Sequence, residues 1–220
     1  AGAKRVLISA PAKGQDATFV VVVNEKILKN ENRIISAGSC TTNCVAPMVK
    51  ILNDAYKIKS CIFVTTHAYT ATQRLIDGVD KKDLRRGRAA AIDIVPGTSG
   101  ASQSVVEAVP ELKGRLGGYA LRVPVVDGSI SSIIANCEKI VKVEEVNKLF
   151  KMKAKEMNVL SYTEDAIVSS DIIHDSHSCV FDSTLMEVNG NLISVAGWYD
   201  NEWGYSNRLV DVVKLIEKLG

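Results

Sequence analysis

The hexapeptide Ser39-Cys40-Thr41-Thr42-Asn43-Cys44 sets a thiol where a strand should turn into a helix. Ile34-Ile35 leads through Ala37-Gly38 into it, and Val45, Met48, Val49 and Leu52 then recur at helical spacing. Ser39 is the expected N-cap. A helix start leaves backbone N–H groups without partners and concentrates positive potential, which favours a thiolate and any developing oxyanion. Cys40 is therefore a candidate nucleophile. The plainer alternative makes Cys40 and Cys44, one turn apart, small apolar fillers or part of a metal site. Cys61, Cys137 and Cys179 stand alone, and no Cys-x-x-Cys or paired-histidine spacing accompanies them, so no metal is expected.

A cysteine nucleophile needs a base, and His67 is the only one of three histidines that closes an apolar, β-rich run. His174 and His177 fall in a polar segment expected to be exposed. Taken alone, His67 reads better as a hydrogen-bonded core residue than as a base. Thr65, Thr66, Thr70 and Thr72 flank it with hydroxyls that suit an anionic or hydroxylated substrate. Thr98-Ser99-Gly100 precedes a helical segment and suits either a phosphate or an ordinary N-cap. Arg122 interrupts an apolar strand next to Pro124, where a guanidinium needs a carboxylate or a substrate phosphate as partner. The stretch from Trp198 to Tyr205 holds four of the chain's twelve aromatic residues, either as a packed corner or as the border of a planar ligand.

These residues need elements to position them. The apolar runs 6–10 and 19–23 read as strands buried on both faces in a parallel arrangement. A helix is expected over 40–56 and a strand over 61–66, ending at His67. The polar stretch from Tyr69 to Pro96 has no clear period and is long enough to be functional. A helix over 102–109 follows, then strands over 118–126 and from 129 to 134 or beyond, with Asp127-Gly128 as a hairpin turn. A one-faced amphipathic helix is expected over 144–157, and strands near 178–181, 184–188 and 192–198, the last pair turning at Asn189-Gly190. This half of the chain reads as antiparallel. Leu209, Val212, Val213, Ile216 and Leu219 mark a final helix.

With 220 residues, 46% hydrophobic and 24% charged, the chain has globular composition. Five cysteines without a dense framework suit a reducing, cytoplasmic setting. There is no apolar run of membrane-spanning length, so no membrane partner is expected. A formal charge of +2 is too small to imply nucleic acid, and the local run Lys81, Lys82, Arg85, Arg86, Arg88 reads as a solvated loop. The sequence begins at Ala1 without an initiator methionine, which suggests a piece of something longer.

Four stretches carry a resemblance that runs from end to end of the chain: Ser39 to Cys44, His67-Ala68-Tyr69-Thr70-Ala71-Thr72-Gln73, Leu121-Arg122-Val123-Pro124-Val125, and Trp198 to Arg208. The chain resembles the phosphorylating glyceraldehyde-3-phosphate dehydrogenases. The resemblance implies an α/β to α+β fold, with a catalytic domain of mixed, largely antiparallel sheet over 39–201. Residues 1–38 would be the last strands of an incomplete Rossmann-type domain, and 202–220 a C-terminal helix returning to it. It implies attack by Cys40 on D-glyceraldehyde 3-phosphate, His67 as base, NAD as hydride acceptor, a thioester on Cys40 and its phosphorolysis to 1,3-bisphosphoglycerate. One phosphate pocket would use Thr70 and Arg122, the other Ser39, Thr41, Ser99 and Gly100, with Arg86 between them. The loop before Leu84 is one residue longer than the family's, which leaves Arg85 as the alternative to Arg86.

Asn201 would bond the nicotinamide carboxamide and Tyr205 would lie beside the ring. Ala37-Gly38 replaces the family's Asn-Ala, and Ser99 its Thr, and neither change removes a catalytic group. The partners implied are the aldose phosphate, inorganic phosphate and further copies of the chain in a homotetramer. No Gly-x-Gly-x-x-Gly follows a strand here, so the isolated chain is expected to bind NAD weakly. The alternatives are an erythrose-4-phosphate dehydrogenase, a cysteine hydrolase, and a non-catalytic subunit or interaction module.

Overall fold

The computed structural model describes residues 2–81 and 83–218. Ala1, Lys82 of the basic run, Leu219 of the final helix and Gly220 lie outside the described residues. The chain opens with β1 (Val6–Ile8), β2 (Ala17–Thr18) and β3 (Ile34–Ser36), which form a small parallel sheet in the order β1-β3-β2. The parallel arrangement expected of this region is present, but the second strand is not where the apolar run lies. Phe19, Val20, Val21 and Val23 are buried in a turn rather than a strand. Asn24 makes that turn: its Oδ1 accepts from Val20 N at 2.8 Å and its Nδ2 donates to Thr18 O at 2.9 Å. An unbroken apolar run reports burial, and here side-chain capping of the backbone decided the conformation.

The central helix α1 (Cys40–Tyr56) begins as expected, with Ser39 Oγ accepting from Thr42 N at 3.1 Å. Gly38 turns the chain into it at φ +65, where a side chain would be strained and would meet Thr42 at 2.9 Å. Cys44, Val45, Ala46, Met48, Val49 and Leu52 are fully buried. Each large apolar side chain among them contributes about 1.5–3 kcal/mol on burial, so the helix that carries Cys40 is anchored by the core itself.

β4 (Ile58–Ala68) runs two residues past the expected end at Thr66. After the long loop come β5 (Val95–Thr98), α2 (Ala101–Ala108), β6 (Leu116–Val123) and β7 (Ser129–Cys137). They are followed by α3 (Val143–Glu156), β8 (Leu160–Thr163), β9 (Cys179–Asn189), β10 (Leu192–Tyr199) and α4 (Trp203–Glu217). The strands β5-β6-β4-β7-β10-β9-β8 form one mixed sheet, parallel at β4–β6 and β8–β9 and antiparallel elsewhere. The β9–β10 hairpin at Asn189-Gly190 is as expected, while β5 and β8 were not anticipated.

The hairpin expected at Asp127-Gly128 does not form. β6 and β7 both pair with β4, which lies between them. β6 ends before Pro124, and the link 124–128 crosses the end of β4, where Tyr69 N donates to Val125 O at 3.1 Å. Gly128 sits at φ +85, and a Cβ there would run into the backbone oxygen of Ser169. The glycine serves a tight crossing rather than a two-residue turn.

Phe63, Thr65, His67, Ser131 and Ile133 line the buried face of the large sheet. There Phe150 of α3 stacks on Phe181 at 4.0 Å. Ile62 and Ile134, paired across β4 and β7, point the other way and are more than half exposed. α4 returns to the small sheet, where Val212 packs in one cluster with Phe19, Val21, Ile35 and Ala37.

Candidate active site

The pairing of β6 with β4 sets Arg122 directly opposite His67, and β7 brings Ser129 against Tyr199 of β10. One row across the buried face thus carries Arg122, His67, Ser129 and Tyr199. Above that row sits the head of α1, and Cys40 Sγ lies 3.3 Å from His67 Nε2. On the far side of the ring, His67 Nδ1 is 2.7 Å from Ala68 O and 2.6 Å from Arg122 Nη1. Tyr199 approaches His67 edge-on, with centroids 5.9 Å apart.

Burial dominates the electrostatics. It pushes the Cys40 thiol up to about 11, against the Thr41 amide and the Arg122 charge, which both favour the thiolate. Burial, and then the Arg122 guanidinium, hold His67 down to about 4. The low thiol pKa anticipated from the helix start is therefore not realised in this state. The helix terminus acts in the expected direction, but desolvation is the larger effect.

Ser39 Oγ caps α1 and also lies 2.9 Å from Thr42 Oγ1. Thr41 is buried and shares a 3.0 Å hydrogen bond with the Tyr199 hydroxyl. Thr70 Oγ1 donates to Gln73 Oε1 at 3.1 Å. Arg86 is half-buried beside Asp83 at 3.7 Å, and its charge is felt at Arg122, whereas Arg85 is exposed. Ser99 Oγ accepts from Ala101 N at 3.2 Å, and Ser99 and Gly100 lead into α2. Ser99 acts as a local turn cap, and its side chain makes no hydrogen bond to the Cys40 cluster. Asn201 is buried and accepts at Oδ1 from Ser129 Oγ at 2.7 Å, while Tyr205 donates to Gly38 O at 2.9 Å.

His177 Nδ1 pairs with Asp175 at 2.8 Å and the exposed His174 packs edge-on against Trp203, both away from Cys40. Sequence reasoning missed Ser129, whose hydroxyl also accepts from Ala68 N at 3.1 Å. No local signal marks it, because its role depends on β7 lying beside β4. Among the described residues, no group of three or more His, Cys, Asp or Glu could hold a metal ion, and no helix is long and apolar enough to cross a membrane.

A helix-start thiol touching an imidazole at the end of a neighbouring strand, with an arginine behind the ring, is the arrangement used by enzymes that work through a cysteine nucleophile. Residues 39–201 match the family model described as glyceraldehyde 3-phosphate dehydrogenase, C-terminal domain. The chain is 50% identical over 220 residues to the glyceraldehyde-3-phosphate dehydrogenase of Mycobacterium avium, covering 99% of this chain and 65% of the relative. It is 49% identical to that of Mycobacterium leprae, with the same coverage, and 50% identical to that of Streptomyces coelicolor, covering 98% and 65%. The chain belongs to the glyceraldehyde 3-phosphate dehydrogenase family. It spans 65% of the length of these curated relatives.

Proposed function

We propose that this chain carries the thiol chemistry of a glycolytic, cytoplasmic enzyme that converts D-glyceraldehyde 3-phosphate, inorganic phosphate and NAD into 1,3-bisphosphoglycerate. The observation that carries the reading is the 3.3 Å contact between Cys40 Sγ and His67 Nε2, backed by Arg122. When Nε2 is the unprotonated ring nitrogen, it takes the thiol proton and Sγ attacks the aldehyde carbon, forming a hemithioacetal on Cys40. The Cys40 N–H at the start of α1 and the His67 Nε2–H face the developing oxyanion. Nε2–H returns that proton to the oxyanion, giving the hemithioacetal hydroxyl, and the neutral Nε2 then draws it off again as the carbon gives up a hydride and becomes the thioester. A phosphate oxygen attacks the thioester carbon, and the C–S bond breaks to release the acyl phosphate and the Cys40 thiolate.

Arg122 with Thr70 serves one anionic group, and Ser39, Thr41, Ser99 and Gly100 with Arg86 the other. The influence of Arg86 at Arg122 favours it over the exposed Arg85. NAD, when bound, supplies the acceptor for the hydride that leaves the substrate carbon. Asn201 fits its carboxamide end, because Oδ1 is satisfied by Ser129 while Nδ2 makes only a 3.3 Å contact with Glu202, leaving a donor to spare. Tyr205 is held beside the site by Gly38. The division into 1–38, 39–201 and 202–220 is supported by the packing of α4 on the small sheet. Assembly into a homotetramer is supported by the loop after β4, where Ile76, Val79, Leu84 and Ile92 are each at least 78% exposed.

The test avoids the cofactor. Exposure of the 220-residue chain to 1,3-bisphosphoglycerate runs the last step backwards, and intact-mass analysis should show an acyl adduct on Cys40 that is absent in Cys40→Ser. No adduct on the unaltered chain would overturn the reading.

A further inference from the structure

Ser129 opposite Tyr199 is the last pair of β7 and β10, and two acids meet just beyond it. Asp127 lies on the link into β7 and Asp200 directly after β10. Asp200 is buried, and its carboxylate contacts are with backbone donors: Oδ1 accepts from Glu202 N at 2.9 Å and Trp203 N at 2.6 Å, and Oδ2 from His174 N at 2.7 Å. It thereby shapes the turn in which Asn201 sits and leads that turn into α4. Asp127 is half-buried, with Oδ1 accepting from Gly128 N at 2.8 Å, and its carboxyl is within hydrogen-bonding reach of Asp200.

Two carboxylates have no hydrogen to share, so this contact requires a proton on one of them. Asp200 already serves three N–H groups, whereas Asp127 serves one and keeps an oxygen for the proton. Burial pushes the Asp127 carboxyl above the ordinary 3.8; the Gly128 amide opposes it, and Asp200 and the charge of Glu202 add to it. The other titratable groups on elements packed against the crossing are His67 and Tyr69 at the end of β4, and Asp171 and His174 of the segment that meets Gly128. Among the described residues, no lysine or arginine forms an ion pair with Asp127, Asp200 or Glu202.

The tie between the two acids bears on a third residue. Asn201 Oδ1 takes its hydrogen from Ser129 Oγ, two residues beyond Asp127. The Asp127–Asp200 and Ser129–Asn201 hydrogen bonds thus join the same two backbones one after the other. If the first opens, two facing carboxylates with Glu202 nearby push those backbones apart, and the second is stretched.

We propose that Asp127, as a carboxylic acid donating to Asp200, is a positioning residue for Asn201. The tie holds while Asp127 keeps its proton and opens as pH rises through its titration. Its bearing on the cofactor rests on the reading of Asn201 as the nicotinamide ligand.

The test follows the side chains of the 220-residue chain by NMR from pH 3.8 upward to neutrality. The Asp127 carboxyl carbon should titrate above 3.8, and the Asn201 side-chain amide signals should shift with the same midpoint. Asp127→Asn donates to Asp200 without titrating, so there the Asn201 signals should keep their low-pH positions through that midpoint. In Asp127→Ala they should sit at the high-pH positions throughout. Asn201 signals that ignore the Asp127 titration, or that shift unchanged in Asp127→Asn, overturn the proposal. In the whole protein, NAD should bind about tenfold more weakly above the Asp127 midpoint than below it, the order of one hydrogen bond, and Asp127→Asn should abolish the difference. If Asn201 follows Asp127 while NAD affinity does not, the positioning stands and the cofactor reading of Asn201 fails. Should Asp127→Ala misfold, Asp127→Asn and the unaltered chain still decide between these outcomes.

Discussion

Ser129 Oγ donates to Asn201 Oδ1 at 2.7 Å while accepting from Ala68 N at 3.1 Å. The single hydroxyl therefore joins the residue after His67 to the residue proposed for the cofactor end. Ser129→Ala leaves a buried amide N–H and a buried amide oxygen unpaired, at a cost of about 1–3 kcal/mol for each group left without a partner. Urea denaturation of the chain should show a loss of about 2–6 kcal/mol for the two groups together. In the whole protein, NAD affinity should fall more than the rate of Cys40 alkylation.

Gly128→Ala should be among the most damaging glycine substitutions in the chain. Its φ of +85 disfavours a side chain, and the added Cβ would meet a backbone oxygen that cannot rotate away. A loss of about 2 kcal/mol or more is expected by denaturant melts. Gly190→Ala, at φ +61 with nothing within 4 Å, should cost no more than about 1–2 kcal/mol.

Stability should depend on pH through His67. The folded ring is held down to about 4, below the ordinary 6.5, so between those values the unfolded chain binds the extra proton. The contribution is fully present above pH 6.5 and is lost as pH falls to about 4. Its size is about 3 kcal/mol, from the two pKa values. Denaturation midpoints of the chain and of His67→Gln across that window should diverge in slope, with the variant flatter.

Val22 is a β-branched residue at φ +65, half-buried between the two cores. Relief of about 1–2 kcal/mol of backbone strain should offset most of the packing lost in Val22→Gly. The fully buried Val20, with no positive φ, has no such offset, and Val20→Ala should cost about 2–4 kcal/mol. Equal losses at the two positions would sink the strain argument.

The head of α1 was legible because its signals are local. Ser39, the glycine before it and the helical spacing after it all act within a turn of Cys40. Arg122 was legible for a different reason, since a guanidinium in an apolar strand demands a partner. Ser129 and the β6–β7 crossing were not legible, because each depends on β4, far earlier in the chain, slotting between two neighbours in sequence. The run 19–23 misled because its burial is real while its conformation is set by the Asn24 side chain. The height of the Cys40 pKa could not be read either, since local charge gives the sign of one effect and the fold gives the depth of burial.

The crossing at Asp127-Gly128 has a consequence for how the chain reaches its native state. Two adjacent strands joined by the best hairpin signal in the sequence can zip together within microseconds, before distant segments meet. The native sheet requires them to stay apart until β4 arrives from far along the chain, a pairing of high contact order and correspondingly slow formation. The quick hairpin would be a trap that shuts His67 out of the sheet and leaves its ring without Arg122. Refolding of this chain is thus a race between a local pairing and a distant one, and the reactive row exists only in molecules where the distant one wins.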